Sequence, residues 1–180
     1  MSQDPAFKIL LHVCCGPCSL YPIDDLRDFL SDEDFSITGI FYNPNIHPIE
    51  EHARRMEGAS IAAQSKGIEL VKFSDFDQAK WANFDGPAEE RCKLCYTMRL
   101  VFVAKYAAEN GFTHFTTSLL VSPYQNHQQL CKTALMASEK YGVEFLYRDF
   151  RLGFRSGQDQ ARGLGIYRQK YCGCILSKEK

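Results

Sequence analysis

No apolar run in this sequence approaches the roughly 20 residues needed to cross a bilayer. Residues 1–5 carry no basic region, and the first apolar run, 9–13, is too short for a signal peptide. The expectation is a cytoplasmic protein with no membrane partner. Overall charge is also lacking: the formal net charge is −1, which gives no general attraction to nucleic acid. There is no Gly-rich phosphate loop and no dinucleotide fingerprint. Gly163-Leu164-Gly165 lacks the preceding strand such a motif needs. Repeats, low-complexity segments and interdomain linkers are absent too. With 180 residues, 45% of them hydrophobic, the chain is long enough for one domain, 1–180, with a full core.

Cysteine is what the sequence has in quantity. The eight thiols fall as Cys14-Cys15 with Cys18, Cys92-x-x-Cys95, Cys172-Gly173-Cys174, and Cys131 alone. A chain of this size does not need disulfides to fold. Tight groups far apart in sequence suit a metal or redox site assembled by folding. Cys14-Cys15-Gly16-Pro17-Cys18 follows the apolar run 9–13, which reads as a buried strand, and precedes an amphipathic stretch. A helix N-terminus favours thiolate, the form that binds metal or attacks.

Apolar runs at 9–13, 35–42, 68–73, 113–117 and 143–147 predict strands. Helical patterns at 20–30, 48–65, 87–109 and 124–141 lie between them. Pro22 is placed in the first turn of its helix. Trp81 and Phe84 are expected to pack locally in the connection 74–86. The alternation predicts an α/β fold, a five-stranded parallel sheet with helices on both faces. Segments after the first, third and fifth strands start at the carboxyl edge, where open sheets bind ligands. Seven of the eight cysteines can therefore meet there, while Cys131, mid-helix, reads as a small core residue.

Four thiolates suffice for structural zinc or a four-iron, four-sulfur cluster, and the spacing leaves both open. Cys172 and Cys174 read as a two-electron store, a bidentate metal clamp, or two unrelated surface thiols. Cys18 is either a third ligand to a second metal or a small residue under the helix. His12, within a strand, reads as a hydrogen-bonded core histidine. His127 is a proton donor, a substrate contact, or a surface residue at a helix start. The face from Glu51 to Arg55 reads as solvated, with Arg54 or Arg55 able to reach a phosphate. Segment 148–180 has eight Lys or Arg against three acids, so it carries +5 and the remainder −6. Tyr167, Arg168, Lys170 and Tyr171 place aromatic and basic groups beside the last thiols, a mixture that suits a nucleobase and its phosphate.

Five stretches resemble the cobalamin-independent epoxyqueuosine reductases: HVCCGPCS (12–19), FYNPNIHP (41–48), ERCKLCYTMRL (90–100), TTSLLVSPYQNH (116–127) and GIYRQKYCGCILS (165–177). The resemblance implies a Rossmann-like fold akin to the adenine-nucleotide hydrolase-like group, without its nucleotide loop. It implies reduction of epoxyqueuosine to queuosine at the tRNA wobble position, with an external electron donor. It also implies 4Fe-4S ligands at Cys14, Cys15, Cys92 and Cys95, and a redox-active pair at Cys172 and Cys174, with a disulfide and metal ligation both open for it. An additional mononuclear iron or zinc ion is a further expectation, with Cys18, Cys172 and Cys174 as candidate ligands. His127, Tyr167, Arg168 and Lys170 are the candidate substrate-binding residues, and 148–180 is expected to complete the active site. Gly16 departs from the family, where alanine is common, and a slight shift of the turn is expected. Two other readings remain: an ATP-dependent tRNA thiolation enzyme of related fold, whose phosphate loop would sit where the cysteines are, and a zinc-stabilised nucleic-acid-binding module without catalysis.

Overall fold

The computed structural model describes residues 5–178. Five parallel strands stand in the order β3-β2-β1-β4-β5: β1 Phe7–His12, β2 Phe35–Phe41, β3 Glu69–Lys72, β4 His114–Thr117 and β5 Glu144–Phe145. β1 is the centre, with Leu11 opposite Gly39 on one side and Thr116 on the other. The order reverses between β1 and β4, which opens a crevice at their carboxyl ends.

Successive residues of β1 face opposite layers. Leu11 and Val13 pack with Ile23 and Ala59, from α1 (Gly16–Phe29) and α2 (Ile49–Ser65). Leu10 belongs to the larger core with Leu100 and Val103 of α4 (Ala88–Glu109) and Leu130 of α5 (His127–Tyr141). Helices thus cover both faces. Shorter helices α3 (Gln78–Ala82), α6 (Phe154–Gly163) and α7 (Ile175–Lys178) complete the fold. No helix among the described residues is long and apolar enough to cross a membrane.

Several local expectations change. α1 begins at Gly16, not residue 20, because Pro17 occupies its first turn, where a missing N–H costs nothing. Pro22 is therefore inside the helix and deprives the Cys18 carbonyl of its helical partner. Gly16 is more than a small departure. A Cβ there would lie 2.4 Å from the Gly58 carbonyl oxygen, so glycine permits α1 and α2 to approach at this point. α5 starts at His127, since Asn126 Oδ1 accepts from the Gln129 N–H at 3.0 Å and caps it. Trp81 is not a local contact: it is fully buried in the larger core.

Candidate active site

Cys14 and Cys15 follow β1, and the Cys14 N–H donates to Ser118 Oγ at 3.0 Å, just past β4. This pins the first thiols in the crevice at the switch point. Cys15 is the extended residue at the N-terminus of α1, and Cys18 lies one turn further along. The three sulfurs lie within 4.8 Å of one another, all buried. A cavity of about 940 Å³ opens beside them, and Cys14, Cys18, Cys92, Cys172 and Cys174 all line it. Cys95 is buried one turn along α4 from Cys92, and Cys172 and Cys174 are near enough to act electrostatically on both. The seven thiols thus gather at one edge, with Cys14, Cys15 and Cys18 in close contact and Cys92, Cys95, Cys172 and Cys174 more loosely spaced beside them. Cys131 is half-buried in α5 against the core and does not line the cavity.

Neutral donors surround the sulfurs. Ser118 Oγ donates to Cys14 Sγ at 3.2 Å, and Gln169 Nε2 to Cys15 Sγ at 2.9 Å and Cys18 Sγ at 3.5 Å. Asn45 Nδ2 donates to Cys95 Sγ at 3.2 Å, and Gln125 Nε2 lies 3.6 Å from Cys172 Sγ. Within the first group, hydrogen bonds from Cys15, Cys18 and Ser118 hold Cys14 well below the usual thiol range. Burial pushes Cys15 up, and its neighbours' sulfurs push Cys18 up. Burial raises Cys95 to about 12 against the opposing pull of Arg99. One thiolate therefore forms readily, and the others ionise when a cation is present to offset the charge.

The last thiols are held by α2. Arg55 donates to the carbonyls of Tyr171 (2.9 Å) and Cys172 (3.0 Å) while pairing with Glu51 at 2.7 Å. The Tyr171 hydroxyl donates to the His47 carbonyl, and the His47 N–H to the Gly173 carbonyl at 2.7 Å. Gly173 has φ +116°, and a Cβ there would meet Arg55 Nη1 at 2.9 Å, so this turn requires glycine. The expected solvated face of α2 is thus corrected: Glu51 and Arg55 are buried because segment 167–174 lies over them, and His52 is buried against Phe41 and Phe76.

The predicted substrate residues divide. Lys170 lines the cavity. Arg168 lines an adjoining depression with Phe154, Arg155, Gln158 and Arg162, and Phe154 and Gln158 belong to both. Tyr167 donates to Glu51 Oε2 at 2.8 Å, which fastens it to α2. His127 meets the Tyr147 hydroxyl at 3.0 Å and does not line the cavity. His12 is fully buried against Thr117, Tyr42 and Asn43, as a core histidine should be. Nothing in the sequence marks Asn45, Ser118, Gln125 and Gln169 as partners of sulfurs, Arg99 as a partner of Asn45, or Arg55 as the anchor of the last segment. Arg99 stands four residues after Cys95, the spacing that places two side chains on one helix face.

A parallel α/β sheet with a thiol-lined cavity at its switch point is a Rossmann-like architecture whose Cys14, Cys15 and Cys18 could hold a metal ion. The chain matches the family described as Epoxyqueuosine reductase QueH over residues 9–180, and it belongs to that family of oxidoreductases. It is 36% identical over 176 residues to the Epoxyqueuosine reductase QueH of Dehalococcoides mccartyi, covering 95% of this chain and 92% of that one. The corresponding protein of Thermotoga maritima is 36% identical over 179 residues, covering 94% and 89%. Among solved structures, a deacetylase–teicoplanin complex superposes with TM-score 0.50 at 11% identity, over 87% of this chain and 86% of that one. That likeness concerns the fold alone.

Proposed function

We propose that this protein reduces epoxyqueuosine in the wobble position of tRNA to queuosine, in the cytoplasm, using an iron–sulfur centre and nearby thiols. The observation that carries the reading is the gathering of seven thiols from three distant stretches, five of them lining one cavity, in a chain of this family.

The donor set fits a 4Fe-4S cluster. Soft thiolates suit iron–sulfur chemistry, and N–H and O–H groups aimed at the sulfurs offset the charge that accumulates there. Cys14, Cys15, Cys92 and Cys95 would hold it, two from each group. Cys18, Cys172 and Cys174 remain and would suit a second iron or zinc ion. When bound, a cluster supplies electrons singly and a mononuclear ion supplies Lewis acidity.

The chain's own groups satisfy the balance of the reaction. An epoxide becomes an alkene and water by taking up two electrons and two protons. Where Cys172 and Cys174 hold no ion, oxidation of that dithiol to a disulfide releases two of each, and an external reductant restores the thiols. Cys172 is exposed and Cys174 buried, so the first can meet a substrate that enters from the cavity mouth. Arg55 keeps their backbone in place. Tyr124, 84% exposed on the cavity rim, and Phe154 offer rings to stack on a base. Arg155, Arg162 and Arg168 in the adjoining depression, with Lys170, suit the phosphates of the anticodon loop. On this reading residues 148–178 complete the site, and the last two residues of the expected segment 148–180 lie outside the described residues.

Anaerobic incubation with epoxyqueuosine-bearing tRNA and a chemical reductant, followed by nucleoside mass spectrometry, tests the reading. Loss of one oxygen from the modified nucleoside is expected. Unchanged epoxyqueuosine with iron-loaded protein and reductant would overturn it.

A further inference from the structure

Two guanidiniums are buried on this cavity, and they are treated differently. Arg55 has Glu51 as its carboxylate. Arg99, only 3% exposed, has no carboxylate partner among the described residues. Its Nε and Nη2 both donate to one neutral oxygen, Asn45 Oδ1, at 2.9 and 2.7 Å. An uncompensated buried charge costs several kcal/mol, so a fold that keeps one holds an anion for it.

The opposite end of Asn45 shows where the anion belongs. Its Nδ2 donates to Cys95 Sγ at 3.2 Å, and Asn45 is itself buried. Cation, amide and sulfur are therefore connected in series. With both atoms of the amide engaged, Asn45 cannot flip without losing three hydrogen bonds. A metal-bound thiolate at Cys95 would place negative charge at the far end of the amide that Arg99 grips.

We propose that Arg99 and Asn45 are positioning residues that supply the counter-charge to a metal-bound Cys95 thiolate and so set the reduction potential of the centre. The inference rests on the reading that these thiols hold an iron–sulfur cluster. A fixed positive charge beside the cluster favours its reduced, more negative form, and the N–H to sulfur bond acts in the same direction. Removing either makes the centre harder to reduce by a given donor.

The test is a spectroelectrochemical titration of anaerobically reconstituted wild type, Arg99→Lys, Arg99→Met and Asn45→Asp, with circular dichroism to verify folding. Arg99→Met should titrate at a more negative midpoint, and Asn45→Asp likewise, since it removes the N–H donor and adds negative charge. Arg99→Lys keeps the charge and should stay near wild type. If Arg99→Met does not fold, Asn45→Asp alone decides. Loaded variants with the wild-type midpoint would overturn the inference and leave the functional reading standing. So would an Arg99→Lys midpoint as negative as that of Arg99→Met, because charge would then not be the cause. A folded wild type that takes up no iron would overturn the underlying reading, and this inference with it.

Discussion

Arg55 Nη1 donates to the carbonyl oxygen of Cys172 at 3.0 Å, across 117 positions of sequence. The same guanidinium holds Tyr171 and pairs with Glu51, and that ion pair is buried. Removing one member of a buried ion pair costs about 3–5 kcal/mol, because the other charge is left behind. Arg55→Ala should lower stability on that scale in denaturant unfolding. Hydrogen exchange should locate the largest loss of protection in 167–174. Adding Glu51→Gln should recover part of the loss, and a single variant with wild-type stability would show that the pair contributes little.

Gly16→Ala tests the close approach of α1 and α2. The new methyl would lie 2.4 Å from a backbone oxygen, which no side-chain rotation can relieve. Overpacking of this kind costs about 1–3 kcal/mol. Lowered stability with the thiols still able to take up iron is expected. A neutral effect would mean that the helices separate at little cost.

Acidification should destabilise the metal-free protein through its buried histidines. His12 is lowered from 6.5 to about 4, chiefly by burial and secondarily by Arg99. Its folded pKa lies below the unfolded one, so the unfolded chain takes up its proton first. Stability is full above about pH 6.5, falls between 6.5 and 4, and from this residue falls no further below 4. The loss amounts to about 3 kcal/mol. His52 is lowered in the same sense, by burial and then Arg99 and Arg55. Thermal unfolding across this range should show the slope in wild type, largely removed in His12→Gln and partly in His52→Gln. A flat wild-type profile would contradict this.

Charge reversal at Arg168 and Lys170 should weaken tRNA binding and make its dependence on salt shallower, by roughly one counterion per lost phosphate contact. Filter binding across a salt series measures both effects. The proposed contacts fail if affinity and slope match the wild type.

The sheet was legible because each strand is an apolar run bounded by turn residues, and parallel alternation then puts Cys14, Cys92 and Cys172 at one edge. What escaped was non-local. Glu51 and Arg55 are an i,i+4 charge pair, a pattern that usually faces solvent, and their burial depends on 167–174 lying over them. Asn45 reaches Cys95 across 50 positions, and nothing in either stretch announces the other. β5 is reduced from the expected five residues to Glu144–Phe145, because at the sheet edge only two positions pair with β4. α1 begins at Gly16, ahead of its amphipathic pattern, because proline in the first turn starts a helix.

The central claim is that thiols from separate stretches form one metal centre. The most direct measurement is the iron and acid-labile sulfide content of anaerobically purified wild type, Cys92→Ser and Cys131→Ser. The account predicts a brown wild type with about four iron and four sulfide for the cluster, plus any second ion. It predicts loss of the cluster in Cys92→Ser and retention in Cys131→Ser. A colourless wild type containing zinc alone, or iron and sulfide unchanged by Cys92→Ser, would contradict it.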